Sequence, residues 1–179
     1  MEILSIEDFY EESQSYVKLF VSFCEKHNLR NRVYADHICY KCGSRESFER
    51  IRTLFEPTRK YLYESTIGGR TIAYIRLMRP IDTFLWESPT LGEIKFLELS
   101  DQKPDGSQRD GFDHIEAYPL RYSPYFSYEE MIRVFGVSEV VKYVERPHHN
   151  THDIDIGGGF LFRCTRGRLI DRIKNEQME

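Results

Sequence analysis

The sequence predicts an α+β fold: an N-terminal helix followed by two paired βαβββ modules, which form a curved mixed sheet around a cleft. Two observations predict this fold. Each half of the chain has the pattern of one strand, one helix and three further strands, and the tripeptide Asp-His-Ile occurs in the first strand of both halves, at 36–38 and at 113–115. A predicted hairpin turn follows 32 residues after Asp36 and 35 residues after Asp113. Self-similarity of a whole unit, beyond a short shared motif, indicates internal duplication.

The first predicted elements are a helix, a strand and a second helix. Ser5 and Asp8 have the spacing of an N-terminal cap, and the apolar residues that follow recur at helical spacing, which predicts a helix over residues 6–27. Alternation from 33 to 42 predicts a strand, with Tyr34 on the face of Ile38 and Ala35 on the opposite face. Ser44 then precedes a helical pattern that ends at 57, which is a proline.

The remaining strands of the first module are bounded by turn residues. Strand-like runs at 61–67 and 71–77 flank Gly68-Gly69, a pair well suited to the positive backbone angles of a tight hairpin. The fourth strand is predicted at 93–100. In the second module we predict a strand at 112–118, a helix after Ser127 that ends at Gly136, and strands at 140–145, 151–156 and 160–164. A short exposed helix is predicted from Arg168.

Length and charge limit the domain organisation and the partners. The 179 residues suit a single domain with an N-terminal helix (about 1–30), module one (about 31–101), module two (about 111–167) and a short C-terminal helix. The net charge is −4 and neither end carries a basic run, so we expect no nucleic-acid or membrane partner. No uncharged run exceeds seven residues and the first residues are acidic, which predicts a cytoplasmic protein. No phosphate-binding glycine motif is present, so no nucleotide cofactor is expected.

Cys39 and Cys42 have the C-x-x-C spacing found in redox and zinc sites. Residues three apart on a strand point to opposite faces, so these two thiols should not form a disulfide or share a metal. We interpret both as small core residues.

The same alternation decides where the histidines point. Ile38 and Tyr40 should pack on the helix, which leaves His37 on the opposite face. In the second module the equivalent arrangement places His114 and Glu116 on that opposite face. Two paired modules would bring both histidines into the cleft.

Glu98, near the end of the fourth strand, is a third candidate ligand. Two imidazoles and one carboxylate can bind Fe(II), Mn(II), Zn(II) or Ni(II) and leave coordination positions for water or substrate. Glu98 could instead pair with Arg76, and Glu116 could be a fourth ligand, a general base, or an acid paired with Lys41. A local group of three further histidines is better interpreted as a solvated turn; it comprises His148, His149 and His152.

Four segments resemble the YecM-like proteins of the vicinal oxygen chelate superfamily, which includes glyoxalases and extradiol dioxygenases. They are Ala35–Ile38, Ile67–Arg70, Phe96–Leu99 and Gly111–Glu116. The resemblance covers about residues 1–120, and it implies paired βαβββ modules with a metal held by His37, Glu98 and His114. The superfamily takes its fourth ligand from the last strand. Here residues 160–163 contain no carboxylate, which implies a three-ligand site, supplemented by Glu116 or a water.

Two functions of different classes follow from these residues. The first is an enzyme in which a divalent metal chelates two adjacent oxygens of a small substrate, with isomerase, lyase or dioxygenase chemistry and Glu116 as proton shuttle. The second is a non-catalytic module whose cleft binds a small aromatic or apolar molecule near Phe96, Phe112 and Tyr118. The sequence does not determine the oligomeric state.

Overall fold

The structure is a computed structural model of the chain, and it describes residues 2–56, 61–67, 69–84, 92–119, 133, 141–145, 150–165 and 168–170. The helices and strands within these residues are α1 (Ile6–Lys26), β1 (Val33–Lys41), α2 (Arg45–Phe55), β2 (Tyr61–Ile67), β3 (Arg70–Asp82), β4 (Glu93–Ser100), β5 (Gly111–Pro119), β6 (Val141–Val144), β7 (Thr151–Gly157) and β8 (Phe160–Cys164). The predicted strands are all present, although β3 extends five residues beyond its predicted end. Of the helix predicted after Ser127 only residue 133 is described, as helical, and of the C-terminal helix only 169–170 are described, as helical.

Both helices begin at a serine cap, as predicted. The Asp8 amide donates to Ser5 Oγ at 3.1 Å, and the Ser5 amide donates to Asp8 Oδ2 at 2.8 Å. The Ser47 amide donates to Ser44 Oγ at 3.1 Å in the same way. Each cap satisfies amides that would otherwise lack a partner, which is worth about 1 kcal/mol. None of the helices in the described part of the chain is long and apolar enough to span a membrane.

The eight strands form one mixed sheet in the order β2-β3-β4-β1-β5-β8-β7-β6. In each module the first strand pairs in parallel with the last one, β1 with β4 and β5 with β8, and the other neighbours within a module are antiparallel. The two modules therefore share one strand order. They join through the antiparallel pair β1–β5. The predicted fold class, two paired modules in a mixed sheet after an N-terminal helix, is confirmed.

The β1–β5 pair has local two-fold symmetry about Ile38 and Ile115, which face each other. The register shifts by one residue on both sides of this pair, once at Asp36 and once at Asp113, so each aspartate is the extra residue of a β-bulge. The symmetry makes His37 equivalent to His114. Both copies of Asp-His-Ile thus start with a bulged residue.

Because of the bulge at Asp36, two residues of β1 lie on faces other than those predicted. Ala35 belongs to the core beneath the helices, whereas the ring of Tyr34 packs on Tyr118 with the centroids 5.2 Å apart. The predicted faces of Tyr34 and Ala35 were wrong, because an inserted residue reverses the alternation on one side of it. Beyond the bulge, Ile38 lies in the core and His37 lies outside it, as predicted.

A single apolar cluster lies between the helices and one face of the sheet. Aromatic pairs connect the two helices with each other and with the sheet: Phe9 of α1 lies 5.3 Å from Phe55 of α2 between centroids, and Phe20 of α1 lies 5.6 Å from Phe162 of β8. Cys42 belongs to this cluster and Cys39 does not, and both thiols are free and buried. The two cysteines are therefore separated as the strand alternation predicted. The opposite face of the sheet carries the polar residues described below.

We predict that Gly69→Val destabilises the protein by about 1–3 kcal/mol, because the backbone at this turn has a φ of +76°, which a β-branched residue cannot adopt without strain. Gly69→Asn is the matched control: asparagine also adds a Cβ near Pro104 but tolerates positive φ. Urea unfolding measures both. Equal free energies of unfolding for the two variants would mean that the φ angle does not limit this turn.

Candidate metal centre

Four ionisable side chains meet on the sheet face opposite the helices. His37 and Glu116 are paired across β1 and β5, His114 lies two residues before Glu116, and Glu98 comes from β4. We call these four residues the His–Glu cluster. Glu98 Oε2 is 3.4 Å from His37 Nε2 and 3.8 Å from His114 Nε2, and Glu116 Oε2 is 3.7 Å from His37 Nε2. The three predicted ligands are thus close together, and so is Glu116.

The geometry of the His–Glu cluster suits one ion. Its four ligand atoms lie within 4.8 Å of one another. An ion with bonds of about 2.1 Å keeps its ligand atoms roughly 3–4.2 Å apart, so the spacing needs only small side-chain movements. His37 Nε2 is buried and makes no hydrogen bond in the structure. A buried nitrogen without a hydrogen-bond partner is costly, and a metal ion would satisfy it.

The histidines are held by the aspartates that precede them. Asp36 Oδ1 contacts His37 Nδ1 at 3.0 Å, and Asp113 Oδ2 contacts His114 Nδ1 at 2.8 Å. A carboxylate at Nδ1 fixes the tautomer and directs the lone pair of Nε2 away from it, as in metal-binding histidines. The bulges place both aspartates for this contact. Sequence reasoning missed this role, although the aspartate is part of the repeated tripeptide.

Cationic side chains hold the aspartates in turn, and a hydroxyl lies beside His37. Arg168 Nε donates to Asp36 Oδ2 at 3.0 Å, and the Tyr118 hydroxyl lies 3.3 Å from His37 Nδ1. In module two, Lys41 forms an ion pair with Asp113. Lys41 and Tyr118 occupy equivalent positions of the two-fold pair.

These contacts bear on two ion pairs that the sequence offered as alternatives, Lys41 with Glu116 and Arg76 with Glu98. The structure pairs Lys41 with Asp113, so the predicted Lys41–Glu116 pairing is not the one formed. Arg76 is exposed and lies opposite Phe96 in the sheet, while Glu98 contacts the two histidines.

The His–Glu cluster and its charged neighbours have the charge that a divalent cation neutralises. Among the described residues of this ion-pair network, five carboxylates outnumber three cations, a net charge of −2 with neutral imidazoles. The carboxylates are Asp36, Glu98, Asp113, Glu116 and Asp153, and the cations are Lys41, Arg163 and Arg168. Buried charges are retained only where partners compensate them.

The two histidines differ in their protonation. Burial lowers the pKa of His37, but its contacts with Asp36 and Glu98 and the charge of Glu116 outweigh this and raise the pKa to about 10. Burial and the charge of Arg163 lower the pKa of His114. Burial opposes ionisation of Glu98, yet the two histidines and Arg163 hold its pKa well below the usual range. At neutral pH His37 therefore carries a proton that a divalent ion would displace.

Arg163 occupies the position that Glu98 has in the other module. Glu98 is paired with Cys39 on β1, Arg163 is paired with Glu116 on β5, and the two-fold symmetry relates these two pairs. The sequence predicted no carboxylate on the last strand, and at the equivalent position the structure has a buried arginine. Sequence reasoning missed it, because the position is recognised only when the two registers are compared.

Several other predicted residues lie away from the His–Glu cluster. The ring of Phe112 packs on Phe9 and Tyr16 in the helix-side core, so its predicted place beside a bound molecule was wrong. His148 and His149 lie outside the described residues. The His152 ring contacts Tyr143 at 5.1 Å between centroids. A second, smaller group of potential ligands shares His114 and consists of Cys39, Asp113 and His114.

Comparison with known proteins identifies the family. The family model described as YecM protein matches residues 5–134, which is most of the chain. The chain belongs to the YecM family. No curated protein matches it.

Among solved structures, this YecM-family chain is similar to a structural-genomics protein, EC4020. The TM-score is 0.63 at 21% identity, over 92% of this chain and 91% of that one. A hypothetical protein, BH1468 from Bacillus halodurans C-125, matches with a TM-score of 0.48 at 13% identity, over 76% and 95%. Methylmalonyl-CoA epimerase in complex with methylmalonyl-CoA and NH4+ matches with a TM-score of 0.48 at 12% identity, over 78% and 97%. The first of these similarities supports the fold.

We predict that Asp36→Asn and Asp113→Asn each weaken binding of a divalent ion by about 10–100-fold, because each removes the carboxylate that orients one histidine. Isothermal titration calorimetry with Zn(II) measures the affinities. Asp155→Asn is the control, since that exposed carboxylate only accepts from the Gly157 amide. Equal affinity in all three variants would show that the aspartates do not act on the histidines.

Proposed function

We propose that this protein is a metal-dependent enzyme acting on a small molecule with two adjacent oxygens, by isomerase, lyase or dioxygenase chemistry. One observation carries the proposal: the two histidines of the repeated tripeptide and Glu98 converge in a buried group whose charge suits a divalent ion. Because a buried anionic group of this kind does not help the fold, a binding role is its best explanation.

His37, Glu98 and His114 would hold the ion. A single oxygen of Glu98 approaches the Nε2 atoms of both histidines, whereas Glu116 approaches only that of His37. Imidazole and carboxylate ligands suit Zn(II), Ni(II), Mn(II) or Fe(II). When bound, such an ion supplies Lewis-acid polarisation of a substrate oxygen or, as Fe(II), activation of dioxygen.

Glu116 is the group we assign to proton transfer. Its side chain is 2% exposed and lies beside the three ligand residues, so a molecule in contact with Glu98 is also close to it. Burial keeps competing water away from this carboxylate, which is the usual setting of a catalytic acid or base. Glu98, with 16% of its side chain exposed, marks the side from which solvent reaches the His–Glu cluster.

A non-catalytic binding module remains the second candidate, favoured by the aromatic side chains beside the His–Glu cluster. Tyr74 packs edge-on against His37 with the centroids 5.7 Å apart, and it stacks on Phe96 at 4.9 Å. Such rings suit a small flat ligand. In this case Glu116 would serve only as a further ligand, which the following experiment decides.

We predict that a divalent ion at a hundredfold excess over its Kd stabilises the protein by about 2.7 kcal/mol, measured from unfolding with and without Zn(II) or Mn(II). His37→Ala, His114→Ala and Glu98→Gln should each lose this stabilisation. Glu116→Gln should keep it, since its role is proton transfer.

Glu98→Gln and Glu116→Gln form a matched pair, because both replace a carboxylate of the His–Glu cluster by the isosteric amide. Equal loss in the two would make Glu116 a ligand and favour the binding module. Unequal losses in His37→Ala and His114→Ala would show that one histidine is structural.

A further inference from the structure

We propose that Arg163 binds the carboxylate of the molecule on which this protein acts, so that the substrate is a small carboxylic acid with a second oxygen on the adjacent carbon. This inference rests on the proposed function, because it assumes an ion in the His–Glu cluster. It goes further by naming the chemical class of the substrate and the residue that selects it.

The guanidinium of Arg163 is buried and held in one orientation. The residue is 8% exposed, and Nε and Nη2 both donate to the carboxylate of Asp153, each at 2.8 Å. Such a two-point contact fixes the plane of the group. The remaining nitrogen, Nη1, points towards the His–Glu cluster, where it lies 3.0 Å from His114 Nε2 and 3.1 Å from His114 Nδ1.

Among the described residues, Nη1 of Arg163 makes hydrogen-bond contacts only with the His114 ring. Once an ion is bound, this ring offers Nη1 no acceptor. Nδ1 of His114 donates its proton to Asp113, and Nε2 would give its lone pair to the ion. The imidazole then has no lone pair to offer, yet Nη1 carries two N–H groups. A buried N–H of a charged group needs an acceptor, and an anionic oxygen is the acceptor that a guanidinium prefers.

The position of Arg163 explains why this acceptor should come from a ligand. By symmetry Arg163 stands where the other module supplies a carboxylate to the ion. An arginine cannot coordinate a metal, so on this side of the His–Glu cluster the chain offers a positive donor where the other side offers a negative ligand. A carboxylate of the substrate would supply the negative ligand that the chain lacks on this side.

The Tyr74 hydroxyl is a second donor beside the His–Glu cluster, and it has no hydrogen-bond partner among the described residues. This hydroxyl is buried, and Tyr74 is paired with Glu98 across β3 and β4. A ligand with two adjacent oxygens could use both donors. A neutral apolar molecule would leave both unsatisfied, which argues against it.

The test uses two probes that both present adjacent oxygens. Oxalate carries carboxylates, whereas maltol carries a hydroxyl beside a ketone and no carboxylate. Calorimetry with the full chain loaded with one equivalent of Mn(II) gives the affinity for each probe. We expect Arg163→Gln to weaken oxalate binding by about tenfold or more, as for loss of a charge-assisted hydrogen bond, with the affinities for maltol and for Mn(II) unchanged.

Two further variants keep the result interpretable. Arg163→Gln removes the arginine that donates to Asp153, so the double variant with Asp153→Asn repeats the measurement without the negative charge that this arginine balances. Arg52→Gln is the control: this arginine forms ion pairs with Glu49 and Glu56 on α2, away from the His–Glu cluster, and its loss should leave the oxalate affinity unchanged.

The outcomes separate the two proposals. Wild-type protein that binds no divalent ion would overturn the proposed function, and this inference with it. Protein that binds Mn(II) but has the same oxalate affinity in the double variant as in the wild type would overturn the inference alone, with Arg163 serving only Asp153. Loss of Mn(II) binding in the double variant would likewise overturn it, because Arg163 would then support the metal ligands.

Discussion

The antiparallel pairing of β1 with β5 joins the two modules and carries both histidines of the His–Glu cluster. Ile38 and Ile115 face each other at its centre, with one bulge on either side, at Asp36 and at Asp113. A bulge changes the direction of the side chains next to it, so each aspartate reaches the Nδ1 atom of its own neighbouring histidine. The two Nε2 atoms are then free to face Glu98. Without these two inserted residues the strands would still pair, but the Asp–His contacts would not form.

The two faces of the sheet have different roles. The helix-side face holds the apolar cluster, whose burial drives folding. The other face carries the buried His37, His114 and Glu116 beside the partly buried Glu98, and charged groups in that position cost free energy unless they are paired. The network of aspartates, arginines and a lysine compensates for part of this cost. A divalent ion would displace the proton of His37 and compensate for the rest, since the described network has a net charge of −2 when both imidazoles are neutral.

The two modules have equivalent strand registers but different side chains at equivalent positions. At equivalent positions the first module has Glu98 and the second has Arg163, and Tyr74 of β3 corresponds to Asp153 of β7. Asp153 in turn holds Arg163 in place. One module therefore supplies a negative ligand and the other a positive donor. Such asymmetry suits the proposed site, in which an ion and an anionic molecule would lie side by side.

The sequence predicted the strands and the face of both histidines, because alternation and turn residues are local signals. It did not predict the bulges, since nothing in the tripeptide Asp-His-Ile signals an inserted residue; Tyr34 and Ala35 were therefore placed on the wrong faces. The role of Asp36 and Asp113 depends on those bulges. Arg163 was overlooked for another reason: its equivalence to Glu98 depends on strand registers that only the folded sheet defines.

The central claim is that His37, His114 and Glu98 bind one ion. X-ray absorption spectroscopy of the protein loaded with one equivalent of Zn(II) tests it most directly, because zinc–sulfur and zinc–nitrogen or zinc–oxygen distances differ by about 0.2–0.3 Å. We expect two imidazole nitrogens and carboxylate oxygen at about 2.0–2.2 Å with no sulfur. A sulfur at about 2.3 Å would contradict it, because it would place the ion at the group formed by Cys39, Asp113 and His114.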